Sequence, residues 1–203
     1  MLIELELRNF MSFKEKTIFS MERSNVDKDT LQQNIISIND LNILKSSIIF
    51  GPNASGKTNL IQALHFMKWL VKNSRNFERK QKIKIFPFKL DPQYREKEPI
   101  SLRIKFLFNE DIFDYSLSLK KLNDNNEYNF VVCSEILNKN EELIFERDEK
   151  SFKFHDKASN NLKTLSEVLL DNSLLLSAYG SNDIPELEEP YRWFEEKILV
   201  TFD

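Results

Sequence analysis

The feature that most constrains this chain is a glycine-framed loop set between two apolar patterns. Ile48-Ile49-Phe50 runs without a gap into Gly51-Pro52-Asn53-Ala54-Ser55-Gly56-Lys57-Thr58, and Leu60, Ile61, Leu64, Met67 and Val71 recur at helical spacing after it. Gly51-x4-Gly56-Lys57-Thr58 is the spacing of a phosphate-binding loop that joins a buried strand to a helix. A polyphosphate needs several backbone N–H groups aimed at one point, and only a tight loop without side-chain bulk lets the backbone come so close. Gly51 and Gly56 supply that freedom. The helix expected over about 56–73 adds unpaired N–H groups and the positive end of its dipole. Lys57 then neutralises the β- and γ-phosphates and the Thr58 hydroxyl ligates Mg²⁺. The pattern arises by chance in roughly 1% of chains this long. Chance is rarer still here, because two of only 3 glycines in 203 residues lie inside it.

With 41% hydrophobic residues the chain can build a sizeable core. A net charge of −3 gives no global signature of nucleic-acid binding. The single cysteine, Cys133, excludes an internal disulfide. Glu4 and Glu6 interrupt the first apolar stretch, so it does not read as a secretory signal. No uncharged apolar run reaches about 18 residues, so no membrane span is expected and the protein is read as cytoplasmic.

Residues 2–9 alternate in polarity as a half-buried strand near a sheet edge, 9–13 make a turn, and Thr17–Met21 reads as a second strand. Residues 22–46 read as a long irregular connection. Beyond Pro87 the period becomes two. Ile100, Leu102, Ile104, Phe106 and Phe108 share one face, Phe113, Tyr115, Leu117 and Leu119 another, with a turn at Asn109-Glu110-Asp111 between them. Tyr128–Leu137, Leu143–Arg147 and Phe152–His155 continue as an antiparallel meander. Helical spacing returns from Leu162, then over Leu174–Tyr179, then from Pro185 through Trp193, Phe194 and Ile198. A compact kinase or GTPase would return from the loop helix to a parallel strand, so the antiparallel block argues for a mixed α+β architecture instead.

The order of an edge strand, Arg8-Asn9-Phe10-Met11-Ser12-Phe13, a long connection and the Ile48–Ile61 stretch resembles the start of ABC-type ATPases of the SMC/RecF-like kind. It resembles more closely the bacterial AAA-family ATP-binding proteins related to the overcoming-lysogenization-defect ATPases. Phe86-Pro87-Phe88-Lys89-Leu90-Asp91-Pro92 and Leu143–Arg147 are similar to segments of that group. The resemblance implies an α+β P-loop NTPase core with a mixed sheet, an antiparallel β-subdomain and C-terminal helices: an incomplete ABC ATPase head. Its parts would be a phosphate-loop lobe over 1–85, the β-subdomain over 86–160 and the start of a helical lobe over 161–203. It implies ATP and Mg²⁺ as cofactors, with Gly51, Asn53, Ala54, Ser55, Gly56, Lys57, Thr58 and Asn59 around the nucleotide, Arg8 and Asn9 as its neighbours, and Thr58 on the metal. It also implies hydrolysis on head dimerisation, with a homodimer or a partner chain supplying a signature motif, and a role in phage defence or DNA maintenance. The alternative is a non-catalytic nucleotide-gated interaction module completed by a partner chain.

Two departures qualify that implication. Leu176-Ser177-Ala178-Tyr179-Gly180 is similar to a signature motif with its glycine one residue late, and it also reads as an ordinary helix terminus. Ile198–Asp203 is similar to the acidic strand that polarises water, but it holds one carboxylate where two are needed. The sequence is therefore expected to represent the N-terminal half of such an ATPase, with no visible general base and poor hydrolysis alone. Lys68, Lys72, Arg75, Arg79, Lys80, Lys82 and Lys84, opposed by Glu78 alone, offer DNA contacts or, more simply, a solvated helix end. His65 and His155 lack partners at metal-ligand spacing. Trp69 and Trp193 read as core or partner-facing anchors.

Overall fold

The computed structural model describes residues 1–24, 32–38, 40–79, 81–122 and 130–201. Strands β1 (Leu2–Arg8), β2 (Thr17–Ser20), β5 (Ile100–Phe108), β6 (Asp111–Lys121), β7 (Phe130–Lys139), β8 (Glu142–Asp148) and β9 (Ser151–Phe154) form a seven-stranded sheet in the order β2-β1-β5-β6-β7-β8-β9. Period-two patterning explains why these segments pair. Leu5, Leu7, Leu102, Ile104, Phe106, Phe113, Tyr115 and Leu117 are buried on one face. The opposite face carries Arg103, which donates to Asp114 at 2.8 and 2.6 Å and to Glu4 at 3.1 Å. The expected hairpin is present, and its turn places Asn109 and Glu110 at φ 50° and 72°, the left-handed pair of a tight two-residue connection.

Helices cover the buried face. α1 (Lys57–Asn73) turns Leu60, Ala63, Met67, Leu70 and Val71 inward, and α4 (Pro185–Glu196) turns Leu187, Tyr191, Trp193 and Phe194 inward. Trp193 stacks on Phe106 with ring centroids 4.0 Å apart, and Phe194 meets Tyr115 edge-on at 5.7 Å. Trp193 is thus a core anchor. α2 (Pro92–Lys97), which the sequence did not flag, is capped by Asp91 accepting from Tyr94 N at 3.0 Å. α3 (Asn160–Val168) is capped in the same way by Ser159.

The α+β organisation and the meander are present. Several expectations need correction. Residues 22–46 hold a second two-stranded sheet, β3 (Ile35–Ile38) with β4 (Leu41–Leu44). Ile43 packs with Met21, Ile3 and Leu107, and this small cluster ties the hairpin to the large sheet. Leu174–Tyr179 gives way to a 3₁₀ turn over Leu176–Ser181. The buried strand expected at Ile48-Ile49-Phe50 does not form: the segment has no strand hydrogen bonds, and Ile48 and Phe50 are 76% and 86% exposed. Every described strand pair is antiparallel, so the parallel pair that a mixed sheet calls for is absent among the described residues. The apolar run lacks a neighbouring strand, and an isolated strand has no partner for its backbone groups. Tyr128, Lys80, Phe202 and Asp203 lie outside the described residues, and 198–201 form no strand.

Candidate phosphate-binding site

The loop sits at the N-terminus of α1. Gly56 adopts φ 95° and Ala54 φ 64°, so the chain reverses through left-handed backbone just before the helix. The first hydrogen bond of the helix is Leu60 N to Gly56 O at 3.1 Å, which leaves the amides of Lys57, Thr58 and Asn59 in the turn that has no intrahelical acceptors. Lys57 folds back along the loop. Its Nζ donates to Gly51 O and Pro52 O, each at 2.7 Å, and to Ser55 Oγ at 3.3 Å. These partners carry no net charge, so the ammonium's positive charge stays available to an anion. Asn53, Ala54, Ser55 and Thr58 are all exposed.

The turn after β1 closes one side of the loop. Asn59 Nδ2 donates to Ser12 Oγ at 2.8 Å, and a Cβ added at Gly56 would lie 2.8 Å from Ser12 Oγ and 3.2 Å from Phe13 Cζ. Glycine is therefore demanded at 56 twice, by its φ and by this approach. Arg8 and Asn9 are placed on the 86–98 segment. Arg8 donates to the Tyr94 hydroxyl and to Glu98 Oε2, both at 2.9 Å. The Tyr94 hydrogen bond is the main reason its guanidinium is held above its ordinary pKa. Asn9 is fully buried; its Nδ2 donates to Glu98 O at 2.7 Å and its Oδ1 accepts from Phe88 N at 3.1 Å. No local pattern marks Asn9 as the staple of a segment some eighty residues away.

Among the described residues no group of three or more His, Cys, Asp or Glu could hold a metal ion. Thr58, exposed in the first helical turn, fits Mg²⁺ of the kind held by one protein hydroxyl together with phosphate oxygens and water. The signature-like segment packs internally. Ser177 is buried, and its Oγ accepts from Arg75 N at 2.9 Å. A Cβ at Gly180 would sit 1.0 Å from Arg75 Nη1, because the guanidinium crosses that glycine to reach the Tyr191 hydroxyl at 2.7 Å.

Three members of the basic cluster, Arg75 among them, are engaged within the fold. Lys68 Nζ donates to Glu195 O at 3.1 Å and to Ile198 O, capping α4, and Lys72 pairs with Glu195 at 3.3 Å. Arg79, Lys82 and Lys84 remain exposed. No helix among the described residues is long and apolar enough to cross a membrane.

No curated protein matches the chain. The family described as "AAA domain, putative AbiEii toxin, Type IV TA system" matches residues 46–196, a span that opens just before the loop and closes at the end of α4. A P-loop ATPase-type reading thus rests on motif, loop geometry and family together, and the chain belongs to this AAA-domain family.

Proposed function

We propose that the chain binds Mg·ATP on residues 51–58 and serves as part of an ABC-type ATPase head. Paired heads would enclose the nucleotide and hydrolysis would release them. Lys57 and the loop amides offset phosphate charge, and Thr58 positions Mg²⁺. Asn53 and Ser55 line the same exposed loop and Asn59 opens the adjoining turn. The observation that carries this reading is the Lys57 ammonium, anchored by neutral loop oxygens beside amides that no helical carbonyl accepts. A carboxylate to activate water, and the surface facing a second nucleotide, would come from a homodimer or a partner chain. The family description names a toxin of a type IV TA system; together with the resemblance to the overcoming-lysogenization-defect ATPases, it supports defence against phage as the setting.

Thermal unfolding with and without Mg·ATP tests the binding step. At a hundredfold excess over Kd the ligand contributes about 2.7 kcal/mol. For a chain of this size that raises Tm by roughly 5–10 °C. Lys57→Ala should abolish the rise while leaving the ligand-free Tm unchanged. An equal rise in the variant would remove Lys57 and the loop from the binding site.

A further inference from the structure

Beside the loop lies an open pocket of about 410 Å³, lined by Met11, Ser12, Asn59, Phe86, Phe88 and Leu90. We propose that it receives the nucleobase of the nucleotide whose phosphates lie on residues 51–58, an assignment that rests on the reading above. The two regions are continuous. Asn59 follows Thr58 directly and lines the pocket, while Ser12 touches both Asn59 and the Cα face of Gly56.

The chemistry of the walls suits a flat heteroaromatic ring. Two phenylalanines, a thioether and a leucine supply apolar surface, and the Ser12 hydroxyl and the Asn59 amide are the polar side chains at the loop end. Leu90 is 86% exposed, apolar surface that a flat ring can cover. Lys89 Nζ stands 4.9 Å from the Phe86 ring centroid, at the rim. The walls are held in place before any ligand arrives. Met11 N donates to Phe86 O at 2.9 Å, Phe88 N to Asn9 Oδ1 at 3.1 Å, and Asn9 Nδ2 to Glu98 O at 2.7 Å. Asn9 is thereby a positioning residue, binding the turn after β1 to the Phe86–Phe88 wall. Little ordering cost remains for the incoming base.

Calorimetric titration of the wild type and of Phe86→Ser/Leu90→Ser with Mg·ATP and with Mg·tripolyphosphate separates base from phosphate. The wild type should bind ATP at least tenfold more tightly than tripolyphosphate. The double variant should lose roughly tenfold in ATP affinity, the order expected for one stacked base, with tripolyphosphate unchanged. Leu90→Ser alone, at a position too exposed to disturb folding, should weaken ATP about threefold by the same reasoning. Equal wild-type affinity for the two ligands, or unchanged ATP binding in Leu90→Ser and in a folded double variant, overturns the pocket assignment and leaves the loop reading standing. Failure of the wild type to bind either ligand overturns both.

Discussion

Two apolar segments of this chain meet opposite fates. Ile100–Phe108 becomes β5, paired on both edges and covered by α4; Ile48-Ile49-Phe50 stays irregular, unpaired and exposed. Hydrophobic content does not separate them. Neighbours do: β5 has β1 and β6 to accept and donate along its whole length, whereas 48–50 finds no strand among the described residues. Apolar character makes a segment fit for burial, and the backbone decides whether burial can happen.

The largest effects should fall on the covered side of that contrast. Phe106 lies against Trp193, Phe113 and Phe194, so Phe106→Ala should cost about 3–5 kcal/mol, while Phe50→Ala should stay within about 0.5 kcal/mol. Urea unfolding of both variants checks this, and comparable losses would mean that residue 50 is packed in solution. A similar magnitude is expected where charge is buried. Glu135 is fully buried and accepts from the Tyr115 hydroxyl at 2.9 Å, Leu175 N at 2.7 Å and Leu176 N at 3.0 Å. Arg147, also buried, donates to Ser173 O at 2.7 Å and faces Glu135 electrostatically. Glu135→Ala removes that guanidinium's leading counter-charge and strands three donors, and should cost about 3–5 kcal/mol. Recovery of most of the loss in Glu135→Ala/Arg147→Met would sharpen the assignment to the orphaned charge.

Gly180→Ala should be milder, about 1–3 kcal/mol, because the Arg75 side chain can move aside at the expense of its Tyr191 bond. Its Tm should fall while Gly51→Ala, in the exposed loop, leaves ligand-free Tm nearly unchanged. Stability should also depend on pH. Burial raises the Glu135 pKa above the ordinary carboxylate range despite Arg147 and three hydrogen bonds. A carboxyl that ionises less readily folded than unfolded lends full stability below its unfolded pKa and loses it as pH climbs through the folded value. Wild-type stability should therefore fall relative to Glu135→Gln as pH rises above the ordinary glutamate value, with a slope of at most about 1.4 kcal/mol per pH unit. Parallel curves for the two proteins would contradict a raised pKa.

The meander was legible because its strands are long and alternate cleanly, and because the tight turn at Asn109-Glu110 interrupts them. The β3–β4 hairpin was not, since it lies in a polar stretch and the packing of its Ile43 on Met21 and Leu107 is tertiary. At the candidate site, Gly51 to Thr58 announces itself through local spacing. The pocket does not: Phe86–Leu90 has no regular backbone pattern, and its position is set by hydrogen bonds to Met11 and Asn9 some eighty residues earlier. Strand 48–50 was misread for the complementary reason, that a correct local pattern cannot report a missing neighbour.

α1 also has a mechanical meaning. Its 17 residues make a strut of about 25 Å. One end is the glycine hinge at 56; the other is bolted by Lys68, Lys72 and Arg75 to the last helix and to the turn carrying Gly180. A rigid rod cannot absorb a tilt at one end alone. A tilt of α1 would therefore move Gly56 and the Lys68–Glu195 contact together.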